Sequence, residues 1–436
     1  MGIKKFFKNL SHADGPKPHV QVIISGDQDK VYKPGDCING VVQFTTPKKG
    51  MFETLEVYIR GTSKVWIRTS RSTSNSTTNT SSTDYYHYRD NVELFRHTIE
   101  LFSKQGQEAG TYTYPFSFII TDRAEVDRTG AYDKPPDDVY IETPHLLPPS
   151  FHFGPEDDPD QAKVTYGVSA RLLYVDFHDD SHSSKKKDDG LEQIESEEAE
   201  YLFQPLNPNA HIRNVPYQRR PKRFELISSV LSGVDPESIG FRQKVRDKFS
   251  KHTPILDFEL GVEFPTLLKL GREFDIRVTF HVLGKKDNVV TIPPLNFMIE
   301  KLEIVDFTFF RAPRDWDASN NMSGSPMHRP RKKTKFRGDD ESIYEEGRQK
   351  VALNSLPGHH FIELPESMMN EEKKRVEQRQ DCEVWFQSRV PANLESSFQS
   401  YAIARAYRVR VKLLVEFGGK KFKFDAEGPD APLGIE

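Results

Sequence analysis

Cysteine is nearly absent: Cys37 and Cys382 are the only two in 436 residues, one in each half. With no secretory apolar segment behind the first methionine, that count excludes a disulfide framework and fits two reduced thiols in a cytosolic chain. Long apolar runs are missing too, and no stretch approaches the ~18 consecutive apolar residues that a membrane-spanning helix needs. Charge of one sign is not in excess. Against 61 basic residues stand 65 acidic ones, for a formal net charge of −4, so no global field selects nucleic acid or a membrane. Catalytic signatures are absent as well. There is no Gly-rich phosphate loop and no Gly-x-Ser-x-Gly elbow, and His359-His360 lacks the helical His-Glu-x-x-His setting of a zinc protease. Two cysteines in separate halves do not build a zinc site, and no carboxylates stand in a recognisable acid–base pair. The expectation is a protein with no enzymatic activity, no cofactor and no metal.

What is abundant is aromatic. The chain holds 30 Phe and 16 Tyr, residues that favour pleated, half-buried surfaces, so the fold class expected is all-β. The opening stretch reads as two strands, His19–Ile24 and Ile38–Thr45, joined through Pro34, Gly35 and Asp36. Proline there presets φ, and glycine supplies freedom in φ for the reversal. Leu55, Val57 and Ile59 alternate with polar neighbours, placing them on one face of a strand that Trp66 and Ile67 extend. Further strands are expected over Val92–Phe102, Gly110–Phe118, Val164–Val175 and Tyr201–Leu206. A hinge follows from Asn207 to Pro216. The second half repeats the pattern in Phe258–Phe264, Phe274–Phe280, Leu295–Phe310 and Tyr407–Phe417. One helix is expected, over Pro236–Lys251, with Ile239, Val245 and Phe249 sharing part of a face.

Polar stretches interrupt these strands. Arg71–Asp84 is almost entirely Ser, Thr and Asn and reads as a solvated loop, because it offers too little apolar area to offset the entropy of ordering. Ala124–Tyr140 reads as an insert projecting from a sandwich rim, and the charged run from Asp176 to Glu200 as a solvated loop. Two basic segments stand out as binding candidates. In the first ten residues, Ile3, Phe6, Phe7 and Leu10 recur at helical spacing among Lys4, Lys5 and Lys8, a pattern that suits either an anionic lipid surface or a helix docked on the protein itself. Further on, Arg329, Arg331, Lys332, Lys333, Lys335 and Arg337 form the densest cationic cluster. It suits a polyanion such as a phosphoinositide or phosphopeptide, a nuclear-import signal, or an insert balanced by Asp339, Asp340 and Glu341.

The order of short motifs resembles the arrestin family. Val31–Asp36 followed by Gly40-Val41-Val42 looks like the opening of an arrestin N-terminal domain. Gly110-Thr111-Tyr112, Tyr114–Phe118, Leu147-Pro148-Pro149-Ser150-Phe151 and Val164–Val168 then follow in the family's serial order. Each piece alone is a weak signal of strand plus turn. The resemblance, which leans toward the α-arrestins of fungal type, implies two consecutive immunoglobulin-like β-sandwich domains, the arrestin fold. The first would span residues 16–207, with inserts near 69–90, 122–143 and 176–200. The second would span 208–428, with an insert near 312–348, and a basic segment 1–15 and a tail 429–436 would flank the pair.

That resemblance also implies an adaptor, cytoplasmic and peripheral at the plasma membrane or endosomes, binding cytoplasmic segments of membrane transporters or receptors and linking them to endocytosis or ubiquitination. No nucleic acid is expected as a partner. α-Arrestins recruit HECT-type ubiquitin ligases through Pro-Pro-x-Tyr motifs, which exploit the preformed polyproline helix. This chain departs from that pattern. Pro135-Pro136-Asp137-Asp138-Val139-Tyr140 spaces its tyrosine too far, Pro148-Pro149-Ser150-Phe151 ends in Phe, and Pro293-Pro294-Leu295-Asn296 has no Tyr. The sequence stops at Glu436 without the tail that usually holds such motifs, so any ligase is expected to be recruited indirectly. Two rival functions share the double sandwich or the basic cluster: a retromer-like sorting subunit, and a signalling scaffold with nuclear shuttling.

Overall fold

In the computed structural model the described residues are 17–434, except 28, 76–79, 133–138, 156–158, 176–190, 208, 210, 236–237, 239–251, 286–287, 316–341, 353–358 and 363–381. The expected helix, the basic segment Ile3–Leu10 and the Arg329–Arg337 cluster lie outside them, apart from Ser238 at the start of the helix. Strands dominate. A 3₁₀ turn at Ser229–Ser232 is capped by the Ser228 side chain and ended by Gly233 in the left-handed region, and Ser238 is also in 3₁₀ conformation. The chain divides into two compact units. The first holds residues 1–206, 310–345 and 399–403; the second holds 207–309, 346–398 and 404–436. Both are β-sandwiches of the immunoglobulin-like kind.

The first unit opens with β1 (His19–Ile24), β2 (Val31–Tyr32), β3 (Cys37–Thr46), β4 (Gly50–Asn75), β5 (Thr80–Gln107) and β6 (Gly110–Ile119). It continues with β7 (Phe151–Phe153), β8 (Gln161–Val175), β9 (Leu191–Glu195) and β10 (Ala199–Phe203). One sheet runs β1-β3-β6, all antiparallel, and Gly35 takes φ +85 in the turn that leads into β3, as the Pro-Gly pair predicts. The other runs β5-β4-β8-β10-β2, with β7 and β9 also on β8. Alternation fixes the register: Val20, Val22, Ile38, Val42 and Phe44 point inward and are buried, and Phe44 meets Phe52 edge-on at 4.8 Å. Gly61 on β4 leaves room for aromatic packing. A Cβ there would stand 2.6 Å from the Tyr166 ring and 2.9 Å from Phe95.

Three polar stretches differ from expectation. The described parts of Arg71–Asp84 are not a loop: β4 and β5 continue as a paired ribbon out to Asn75 opposite Thr80. Backbone pairing, cross-strand hydroxyl contacts such as Ser72 to Thr83 at 3.0 Å, and the β preference of threonine sustain a strand without an apolar face. Described parts of Ala124–Tyr140 do not project. Ala124, Tyr132 and Tyr140 are buried, because the segment carries aromatic side chains that cover an ionic cluster described below. The acidic run is not wholly solvated either, for β9 and β10 both pair with β8. Its carboxylates have partners: Glu195 accepts from Tyr58, Glu192 from Tyr174 at 2.5 Å, and Glu198 from Arg60 at 2.8 Å.

The second unit begins with β11 (Tyr217–Ile227), β12 (Ile255–Pro265), β13 (Leu268–Lys269), β14 (Glu273–Lys285) and β15 (Leu295–Asp315), the last contributing its final residues, from Phe310, to the first unit. It ends with β16 (Ser342–Ala352), β17 (His359–Ile362), β18 (Cys382–Arg389), β19 (Phe398–Gln399), β20 (Ile403–Phe417), β21 (Lys420–Glu427) and β22 (Leu433–Gly434). A four-stranded sheet runs β11-β12-β14-β18, and β15, β20 and β21 form the facing layer's main strands. Strict alternation in β12 sends Phe258, Leu260, Val262 and Phe264 inward, fully buried. Phe258 is the hub of this core, touching Phe224, Phe280, Phe417 and Phe422 at centroid distances of 5.1 to 5.6 Å. Burying each such ring contributes roughly 1.5–3 kcal/mol.

Candidate functional site

Two features of the first unit place chemistry where a sandwich ordinarily has none. The first is an ionic cluster built on Arg311, whose side chain is fully buried. Its Nε donates to the Tyr401 carbonyl at 2.9 Å and its Nη2 to Glu142 Oε1 at 3.0 Å. The guanidinium also lies 3.8 Å from the Tyr132 ring centroid and 4.3 Å from that of Tyr140, between two aromatic faces that favour a cation. Glu142 has a second donor in the Gly130 amide, at 3.0 Å. Next to this pair, Asp90 accepts from the Tyr132 hydroxyl at 2.6 Å and from Arg128 Nη2 at 3.0 Å. The formal charges balance, two cations against two carboxylates. That balance permits burial, because an isolated ion would be several kcal/mol too costly.

Electrostatics follow from burial. Desolvation pushes the Asp90 carboxyl above its usual range, opposed by the Tyr132 hydrogen bond and by Arg128 and Arg311. Burial likewise holds His145 below the usual imidazole value, its ring meeting Tyr401 edge-on at 4.4 Å. Tyr401 itself is pushed up to about 12, by burial and then by the Asp127 carboxylate. Loop, β5 and the segments near 311 and 401 are thus held by groups that carry charge or polarity in a dry setting. The Tyr140 ring, the tyrosine of the imperfect Pro-Pro motif, is a structural part of this cluster and not a free recognition element.

The second feature is a cleft of about 280 Å³ at the end of the Leu147-Pro148-Pro149-Ser150-Phe151 turn. Here β7 and β10 both meet β8, at Phe151 opposite Val164 and at Tyr201 opposite Tyr166. The turn's residues make the junction. The buried Tyr166 hydroxyl donates to the Pro148 carbonyl at 2.5 Å, while Ser150 exchanges hydrogen bonds of 2.9 Å with Phe203 through both backbone and hydroxyl. Phe151, Val164, Tyr166 and Tyr201 form the floor, and Lys163 and Glu200, 3.7 Å apart, stand at its lining with His152 and Leu202. An apolar floor with a few charged groups at the mouth suits a side chain or short peptide better than a reacting substrate.

Among the described residues no group of three or more His, Cys, Asp or Glu could hold a metal ion. No described helix is long and apolar enough to cross a membrane. The two sequence-predicted sites, Ile3–Leu10 and Arg329–Arg337, lie outside the described residues, so the structure brings neither of them to the features above. The Arg311 cluster escaped sequence reasoning because its members lie far apart in the chain. Its local part, Arg128, Tyr132, Tyr140 and Glu142, falls in one short segment, but nothing in the sequence points from that segment to Arg311.

Fold and site define a double β-sandwich protein whose buried charges organise loops. Within the first sandwich, the sequence profile described as "Arrestin (or S-antigen), N-terminal domain" matches residues 20–126, and that stretch is arrestin-like. No curated protein matches this sequence. Among solved structures, the sporulation control protein Spo0M from Bacillus subtilis is similar over 61% of this chain and 80% of that one. With 11% identity and a TM-score of 0.23, that superposition is too loose to bear on fold or function.

Proposed function

We propose that this arrestin-like chain is a non-enzymatic adaptor that binds cytoplasmic segments of membrane transporters or receptors and links them to endocytic trafficking or ubiquitination. The observation that carries this reading is the match to the arrestin N-terminal domain over residues 20–126, within the first sandwich. An adaptor of this kind works by non-covalent contact, and the cleft beside β7 and β10 offers an apolar floor for a peptide side chain.

Recruitment of a HECT-type ligase, on this reading, is indirect. Pro148 and Pro149 are buried in the junction with β10, and Tyr140 is buried on Arg311, so neither near-match to Pro-Pro-x-Tyr presents a polyproline ridge with its tyrosine. The α-arrestin subtype, a peripheral location at plasma membrane or endosomes, and contacts of Ile3–Leu10 with anionic lipid and of Arg329–Arg337 with a polyanion belong to the same proposal. Its test is the surface level and internalisation rate of candidate transporters and receptors in cells lacking the chain. At least one cargo should be retained at the surface; if none changes, the adaptor reading is wrong.

A further inference from the structure

The three-stranded sheet of the first unit has an outer face without charge. Alternation sends the odd-numbered residues of β1, β3 and β6 outward, from His19 to Ile23, Cys37 to Thr45 and Thr111 to Ile119. All are exposed or half-buried, and none is Lys, Arg, Asp or Glu, in a chain where those four types make up 29%. The four-stranded sheet of the second unit shows the ordinary arrangement, an outward row in which Arg219, Glu263 and Arg277 stand in register. Depletion of charge is the mark of the centre of an interface. Apolar side chains line up on the uncharged face as well. Ile23, Val41 and Pro115 cross its three strands in one row, and Cys37 pairs with Ile119, which is 67% exposed.

We infer that this face is the docking site of the chain's own segment Ile3–Leu10. Ile3, Phe6, Phe7 and Leu10 recur at helical spacing as one apolar stripe, and Lys4, Lys5 and Lys8 fall on the opposite side of such a helix. The stripe therefore suits a face that offers lysine no carboxylate. The connection has the right length. Lys17 is held by Glu192 at 3.7 Å, and the six residues Ser11–Pro16 reach about 20 Å when extended, equal to the run from Lys17 to Ile23. Asp14-Gly15-Pro16 is turn chemistry suited to the reversal that this return requires. Helical residues from Leu10 back to Ile3 then cover about 12 Å, close to the ~14 Å between the Val41 row and the Cys37 row.

Area decides against a second copy as the occupant. Three strands ~4.8 Å apart and at most about 34 Å long offer roughly 500 Å² per copy, so two faces together fall short of the ~1,200 Å² that a stable interface buries. A tethered segment needs less, because its effective concentration at the face is high. A stripe docked here is unavailable to lipid, so the sheet and a membrane compete for it.

Cys37 is an exposed free thiol on this face and reports on its cover. With Cys382→Ser leaving it the single thiol, its alkylation by N-ethylmaleimide is followed in the full chain and in one lacking Met1–Leu10. The full chain should react roughly tenfold more slowly, the open state then being about a tenth of the population. Phe6→Asp with Phe7→Asp in the full chain should raise the rate to that of the truncated one. In an Ile23→Asp background, shown to be folded by circular dichroism melting, removing Met1–Leu10 should leave the rate unchanged, because the receiving face is already altered. Protection should survive about 0.5 M salt, since the docked stripe uses no ion pair. Equal rates with and without the segment would overturn the proposal. So would protection that salt abolishes, which makes the contact ionic, or protection that rises with protein concentration and ignores the segment, which gives the face to a second copy.

Discussion

Two ion networks in this molecule use the same side chains to opposite ends. In the first unit, Arg311 and Glu142 are both shut off from water, and tyrosine rings and backbone groups complete their surroundings. On the outer face of the four-stranded sheet in the second unit, Arg277 pairs with Glu263 and, at 2.8 Å, with Glu383 while its side chain remains about a third exposed. Beside it, Arg219 lies flat over Gly261, reaching Glu259 at 2.9 Å and Thr279 at 3.3 Å. A Cβ at Gly261 would stand 2.6 Å from that guanidinium, so the missing side chain is what lets arginine cross the sheet. The buried network constrains which loop conformation is tolerable; the exposed one decorates a sheet that alternation has already specified. What differs is the cost of breaking each.

The largest expected effect is at Arg311. Arg311→Ala removes one member of a dry pair and strands Glu142, which should cost about 3–5 kcal/mol in denaturant unfolding. Replacing Arg311 and Glu142 together with leucine should recover most of that loss, because no uncompensated charge is left behind. Tyr132→Phe deletes the donor to the buried Asp90 carboxylate and should cost roughly 1–3 kcal/mol, with Phe still covering the Arg311 cation.

A pH prediction sharpens the contrast. Burial holds His145 below the ordinary imidazole value of 6.5 in the folded chain, so the unfolded chain takes up its proton first as pH falls. Stability carried by neutral His145 is therefore full above 6.5 and is lost as pH drops from there toward the folded value, at up to about 1.4 kcal/mol per pH unit. His145→Gln should flatten that slope, as followed by unfolding midpoints between pH 7 and pH 5. Asp90 runs the other way: its raised carboxyl pKa means the penalty of burying its charge is present at neutral pH and fades on acidification through the folded value. Smallest of all, Glu383→Ala, which removes the exposed arm of the Arg277 network, should change stability by no more than about 1 kcal/mol, and high salt should erase the difference.

Much of the fold was legible because it rests on local signals. Alternation in His19–Ile24, Phe258–Phe264 and Phe274–Phe280 states which residues turn inward, and the structure buries Val20, Val22, Phe258, Leu260, Ile276 and Val278 accordingly. Pro34-Gly35 announced a reversal, and Gly35 takes the positive φ that reversal uses. Where the reading failed, polarity had been equated with solvent. The Ser/Thr stretch pairs as a ribbon because backbone hydrogen bonds need no apolar side chain, and Glu192, Glu195 and Glu198 find Tyr174, Tyr58 and Arg60 across the sheet. Composition does not record such partners, which for Glu195 and Glu198 lie more than a hundred residues away. The same limit hid the candidate site: Glu142 and Arg311 are separated by 169 positions, and only the fold makes them neighbours.

The adaptor reading is tested most directly by crosslinked affinity purification of the tagged full chain from its native cells, beside a version lacking Met1–Leu10. The account predicts recovery of membrane transporters or receptors, accompanied by trafficking proteins or a ubiquitin ligase, with less cargo when the basic segment is removed. Recovery of coat, scaffold or nuclear proteins alone, with no membrane cargo, would leave the arrestin-like fold standing and contradict the function proposed for it.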